Sequence, residues 1–215
     1  MGLSFHIVTA WLRGEARIPR APRGQRLDLG KFDLTWEDNF EGGSLNLDTW
    51  RGHLHGKDSF CEGVYRRRGG FWCLDMARVR DGMLHIPTVY SEDGVAGGPP
   101  GYYSLGIDTR ESFRQKYGYF EARCKLPKGK GLWAAFWMFA ETIAKVDGSG
   151  HSGTEIDIFE SPYYICRLPL LKNAVSANLH YDGYGKAHRM KNVGKFHVQD
   201  PYDTFHTYGV EWNER

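Results

Sequence analysis

Three acidic residues lie within six positions of this 215-residue chain: Glu155, Asp157 and Glu160, in the segment GTEIDIFES at 153–161. On a β-strand side chains alternate, so Glu155 and Asp157 share one face while Ile156 and Ile158 take the other. Strict alternation would place Phe159 beside the acids and turn Glu160 inward. One extra residue, a β-bulge, returns Glu160 to the acidic face, and bulges are over-represented next to active sites. Three carboxylates on a half-buried strand repel one another, so at least one is expected to keep its proton above the usual carboxylate range. With the bulge absorbing one step, the Cα atoms of Glu155 and Glu160 lie roughly 13 Å apart, at about 3.3 Å per residue. Side chains leaning toward each other can approach the ~5 to 5.5 Å spacing at which one carboxyl attacks and the other is acid and base in retaining glycoside hydrolysis. Asp157, between them, can share a proton and hold their titrations apart. Two plainer readings are a solvated edge strand and a hard-cation site. The Ile and Phe interior and the tryptophans on the preceding run oppose the first; the lack of further oxygen ligands in the segment opposes the second.

The flanking runs must position these acids. Alternating apolar and polar residues, punctuated by Gly, Pro, Asp and Asn, run from Leu29 onward and predict an all-β sandwich without an amphipathic helix. In YGYFEARCKLP, Phe120, Ala122, Cys124 and Leu126 take one face and Tyr119, Glu121, Arg123 and Lys125 the other. A turn at KGKG, residues 128–131, then leads into LWAAFWMFA, and the spacing predicts a hairpin. Trp133 and Trp137 share a face of that second run and are candidates to stack on sugar rings, with core packing as the alternative. In VSANLHY, Ser176, Asn178 and His180 face away from Val175, Ala177, Leu179 and Tyr181. Asn178 and His180 are candidates to bind sugar hydroxyls or to tune Glu160. The last run, TFHTYGVEWNER, alternates His206, Tyr208, Val210 and Trp212. Glu121 and Arg123 are expected to form a cross-strand ion pair. His53 and His55 lack a third ligand and are assigned to a turn, and Arg66, Arg67 and Arg68 to a solvated loop.

These residues resemble glycoside hydrolase family 16, whose laminarinase-like and galactanase-like members carry E-x-D-x-x-E in its bulged form. The likeness extends from Asp33-Leu34-Thr35-Trp36-Glu37-Asp38-Asn39-Phe40 and Leu47-Asp48-Thr49-Trp50 through Tyr117-Gly118-Tyr119-Phe120-Glu121-Ala122-Arg123 and Gly131-Leu132-Trp133 to Phe205-His206-Thr207-Tyr208-Gly209-Val210-Glu211-Trp212. It implies a β-jelly roll, concanavalin A-like, of two curved antiparallel sheets. It also implies Glu155 as nucleophile, Asp157 as its helper and Glu160 as general acid and base. A β-1,3(4)-glucan is the leading substrate implied, with agar-type β-galactans next. Transglycosylation and a catalytically inactive glycan-binding jelly roll are the alternatives of the same fold. No cofactor is required, although a structural calcium occurs in some relatives. One stretch departs from the laminarinase-like pattern, reading Tyr65-Arg66-Arg67-Arg68-Gly69-Gly70-Phe71-Trp72 where an Asn-x-Glu and paired Tyr would stand.

Composition agrees with that reading. Lys and Arg number 28 against 26 Asp and Glu, a formal net charge of +2, which gives no field of the kind nucleic-acid partners require. No run of apolar residues is long enough for a membrane helix. A polysaccharide is the partner that the resemblance implies, and a monomer is the expected state. The 7 Trp, 12 Tyr and 12 Phe beside 27 Gly exceed what a core alone needs. The four cysteines, Cys61, Cys73, Cys124 and Cys166, follow no zinc spacing and are read as free thiols. Residues 1–30 are expected to be a basic arm carrying Arg13, Arg17, Arg20, Arg23 and Arg26. The apolar stretch from Phe5 to Leu12 is interrupted by His6 and has no preceding basic residue, so it is a weak signal peptide. Residues 31–215 are assigned to the catalytic domain, expected to be C-terminally incomplete and to leave sheet edges exposed.

Overall fold

The computed structural model describes residues 27–52, 59–163 and 173–214. Most of the basic arm, His53, His55 and Cys166 lie outside the described residues. The chain forms two compact units, one of residues 30–116 and one that contains residues 117–214. Among the described residues there is no α-helix, only two short 3-10 turns, and no helix is long and apolar enough to cross a membrane.

The first unit holds β1 (Arg51–Gly52), β2 (Ser59–Cys61), β3 (Val64–Arg67), β4 (Gly70–Cys73), β5 (Arg78–Arg80), β6 (Met83–His85), β7 (Val89–Ser91), β8 (Gly101–Ser104) and β9 (Ile107–Asp108). Five of these form a sheet in the order β2-β3-β4-β8-β7, in which β4 and β8 run parallel. Val64, Cys73, Met76, Tyr103 and Leu105 make its core. Arg66 and Arg67 belong to strand β3 rather than to a loop; their guanidinium groups lie 5.8 Å from the Phe60 ring and 4.0 Å from the Trp72 ring. The early motif residues are structural here. Trp36 stacks on Phe113 at 5.3 Å, and Trp50 donates through Nε1 to Asp38 Oδ2 at 2.6 Å.

The second unit holds β10 (Gly118–Cys124), β11 (Trp133–Phe139), β12 (Thr154–Pro162), β13 (Ala174–Tyr181), β14 (Arg189–His197) and β15 (His206–Trp212). β11-β12-β13-β14 is an antiparallel meander, and β10 pairs with β15. The expected hairpin between β10 and β11 is therefore absent. Leu126 donates its N–H to the Pro201 carbonyl at 2.9 Å and is buried with Phe159, Val175, Tyr202 and Tyr208. Burial of Leu126 and Pro127, which has no N–H for a ladder, carry the chain from one sheet to the other before the KGKG turn. The Phe159 and Tyr208 rings, 4.4 Å apart, join the layers. The expected ion pair of Glu121 and Arg123 is replaced too: the Tyr119 hydroxyl donates to Glu121 at 2.7 Å, and Arg123 lies 4.7 Å over the Phe205 ring. Cys61, Cys73 and Cys124 are free thiols.

Candidate active site

The bulge in β12 is real on both sides of the strand. Against β11, Phe136 pairs with Phe159 and the next pair is Trp137 with Asp157; against β13, Asp157 pairs with Asn178 and Glu160 with Ser176. Ile158 is the extra residue. Ile156, Ile158 and Phe159 are all buried, so two consecutive side chains point into the core and Glu160 returns to the face of Glu155 and Asp157. The neighbours on that face follow from register: Ala135, Trp137 and Phe139 from β11, and Ser176, Asn178 and His180 from β13.

Two groups of contacts form at opposite ends of this face. At Glu160, Trp133 Nε1 donates to Oε1 at 3.0 Å and Asn178 Nδ2 donates to Oε2 at 2.6 Å. Asn192 on β14 donates in turn to Asn178 Oδ1 at 2.6 Å. Asn178 is thus turned on Glu160. Trp133 is 64% exposed, so it is not a core residue. Trp137 packs edge-on against Phe139, with ring centroids 5.6 Å apart.

At the other end, the Tyr184 hydroxyl donates to Glu155 Oε2. His180 is turned on Asp157 instead of Glu160, with Nε2 at 3.2 Å from Oδ2. Its other nitrogen, Nδ1, lies 2.9 Å from His188 Nε2. Asp157 is only 4% exposed. Its burial, then the charges of Glu160 and Glu155 and a hydrogen bond with Glu155, push its carboxyl up to about 8. The raised carboxyl expected from three same-face acids is therefore the middle one, Asp157.

Glu155, Asp157 and His180 bring one oxygen or nitrogen each within 4.8 Å of one another, a spacing that could surround a cation. The Tyr184 hydroxyl engages Glu155 Oε2, whereas Asp157 Oδ2 is buried without a hydrogen-bond partner, with His180 Nε2 3.2 Å away.

Sequence reasoning missed Tyr184, His188 and Asn192. The first two come from the loop 182–188, which has no periodic pattern. The loop is nonetheless fixed. Asp182, 1% exposed, accepts from the backbone N–H groups of Asp147 and Gly148 at 2.9 Å each, and Arg189 Nε lies 3.4 Å from its other oxygen. Gly183 N–H donates to the Ile143 carbonyl at 2.7 Å. Asp182 and Gly183 both have positive φ, 62° and 72°, conformations that Asp-Gly accepts readily. That dipeptide was the available signal.

The family model for "Glycosyl hydrolases family 16" matches residues 78–215. A glucan endo-1,3-beta-glucosidase of Cryptopygus antarcticus is 33% identical over 191 residues, 86% of this chain and 64% of that protein. Glucan endo-1,3-beta-glucosidase A1 of Niallia circulans is 28% identical over 197 residues, 86% of this chain and 28% of that protein. The chain thus spans less than two thirds of either relative. Among solved structures, the laminarinase catalytic domain of Thermotoga maritima aligns with a TM-score of 0.62 at 30% identity, covering 85% of this chain and 70% of that one. In fold the chain is the all-β jelly roll expected from its sequence.

Proposed function

Because the chain belongs to glycosyl hydrolase family 16, we propose that it is a retaining, endo-acting hydrolase of a polysaccharide, with a β-1,3(4)-glucan as substrate. The observation that carries the reading is the single strand face on which Glu155, Asp157 and Glu160 stand, with the buried Asp157 carboxyl hydrogen-bonded to Glu155. Glu155 is the nucleophile. The Asp157 proton and the Tyr184 hydroxyl both point at it, so it accepts hydrogen bonds and is available as a carboxylate. Glu160 in its acid form gives its proton to the departing glycosidic oxygen while Glu155 bonds to the anomeric carbon. Glu160, now a carboxylate, then takes a proton from the water that releases the sugar. Trp133 and Asn178 hold Glu160 during both transfers. Side chains alone supply these steps, and no cofactor takes part.

The test is product analysis on laminarin, mixed-linkage glucan and agarose, with the anomeric configuration of the first products followed by NMR. Oligosaccharides of several lengths, released from the glucans as β-anomers, are expected. Cleavage of agarose alone would move the substrate to β-galactans, and products longer than the donor would make the enzyme a transglycosylase. Binding with no release of sugar would make the chain a glycan-binding module and overturn the proposal.

A further inference from the structure

The loop 182–188 brings a second histidine to the acids. His188 Nε2 is 2.9 Å from His180 Nδ1, and His180 Nε2 is 3.2 Å from Asp157 Oδ2. A neutral imidazole donates from one nitrogen and accepts at the other, and the partner of either nitrogen decides which. Asp157 Oδ2 is buried without a hydrogen-bond partner, and His180 Nε2 approaches it to 3.2 Å. If Asp157 gives its proton toward Glu155, Oδ2 is left as an acceptor, and only the Nε2–H form of His180 satisfies it. Nδ1 of His180 must then accept, and His188 must donate.

We propose that His188 is a positioning residue: by donating from Nε2 to His180 Nδ1, it fixes His180 as the Nε2–H tautomer and so keeps the proton of Asp157 on the oxygen directed at Glu155. Every donor in the resulting chain points the same way, from His188 through His180 and Asp157 to Glu155, and the Tyr184 hydroxyl approaches Glu155 from the loop itself. Asp182 and Gly183 anchor the start of the loop, and the His188 N–H donates to the Gly185 carbonyl at 3.1 Å. Among the described residues, Glu160 shares the acidic face of β12, Lys186 belongs to the same loop, and Arg189 and Lys191 belong to β14. Arg189 is turned to Asp182 and the Gly148 carbonyl, and Lys191 stands opposite Leu179 rather than His180. The catalytic meaning of the chain rests on the function proposed above; its polarity does not.

Long-range 15N–1H correlation spectra of the imidazole rings, at a pH where both are neutral, read the polarity directly. Both His180 and His188 are expected to carry the proton at Nε2, and a Nδ1–H form of His180 would overturn the proposal. Two variants of similar reach separate a donor from a filler: His188→Gln can still donate, whereas His188→Glu only accepts. The Glu variant is expected to move the His180 proton to Nδ1 and to lower kcat about tenfold, equivalent to about 1.4 kcal/mol, with KM unchanged and the pH profile displaced. The Gln variant keeps the tautomer and the profile, and unfolding curves check that both fold. Wild-type spectra and profiles from the Glu variant would overturn the role of His188. If the wild-type protein releases no sugar from any glucan, the proposed function fails, while the spectra still decide the tautomer.

Discussion

The two ends of strand β12 hold their carboxylates by different chemistry. At Glu160 the partners are an indole and an amide, Trp133 and Asn178, neither of which titrates, and Asn192 continues the amide chain. At Glu155 every partner except the backbone can gain or lose a proton: Asp157, Tyr184 and, behind Asp157, His180 and His188. Under the proposed roles, the residue that both gives and takes a proton is held by fixed dipoles, which do not compete for that proton. A residue that must stay a carboxylate and attack is surrounded by groups that hold protons and point them at it. The arrangement keeps the proton chemistry of the two ends separate, although Glu160 adds its charge to those acting on Asp157.

The largest expected effects break either end outright. Glu155→Gln and Glu160→Gln should each lower kcat on glucan by about 10⁴-fold. An aryl glycoside with a good leaving group then sharpens the contrast, because it needs no acid: the first step should survive in Glu160→Gln and disappear in Glu155→Gln, as seen in the initial burst of released phenol.

Next in size is Asp157→Asn, which keeps a donor toward Glu155 but removes the titration. We expect a roughly 10²-fold loss of kcat. The wild-type protein should lose kcat/KM as pH rises through about 8, where Asp157 gives up its proton, and that limb should be missing from the variant. The stability of the wild-type protein should fall over the same rise in pH. A carboxyl whose pKa is raised from 3.8 to about 8 on folding binds more protons folded than unfolded across that window, so its contribution is present at low pH and lost as pH rises to about 8. The melting temperature of Asp157→Asn, relative to wild type, should therefore climb between about pH 4 and 8 and then level off.

Smaller effects are expected at the fixed end. Asn178→Leu leaves the Asn192 amide and one Glu160 oxygen without their partner and should cost about 1 to 3 kcal/mol in denaturant unfolding. Trp133→Phe keeps a ring and deletes the donor. A few-fold fall in kcat with KM unchanged would mark Trp133 as the support of Glu160, whereas a rise in KM would mark it as a sugar platform.

Much of this was readable from period and bulge. The faces of β12 and β13 follow from alternation, and the odd spacing of Glu160 required an inserted residue, which the pairing places at Ile158. The hairpin of β10 and β11 was misread because a Gly-containing turn looks the same whether the chain returns to its own sheet or crosses to another. Burial of Leu126 decides that, and burial is a tertiary property. Tyr184 and His188 were invisible because a loop carries no period, and only the anchoring of Asp182 turns it toward the acids. Asn192 was hidden by the register shift between β13 and β14 beside Asn178.

The difference between the two ends is tested most directly by trapping the covalent intermediate. A 2-deoxy-2-fluoro glucan oligosaccharide with an activated leaving group, incubated with the protein and followed by peptide mass spectrometry, should leave its sugar on Glu155, and the Glu155→Gln variant should stay unlabelled. A sugar found on Glu160, or turnover with retention in the absence of Glu155, would contradict the account.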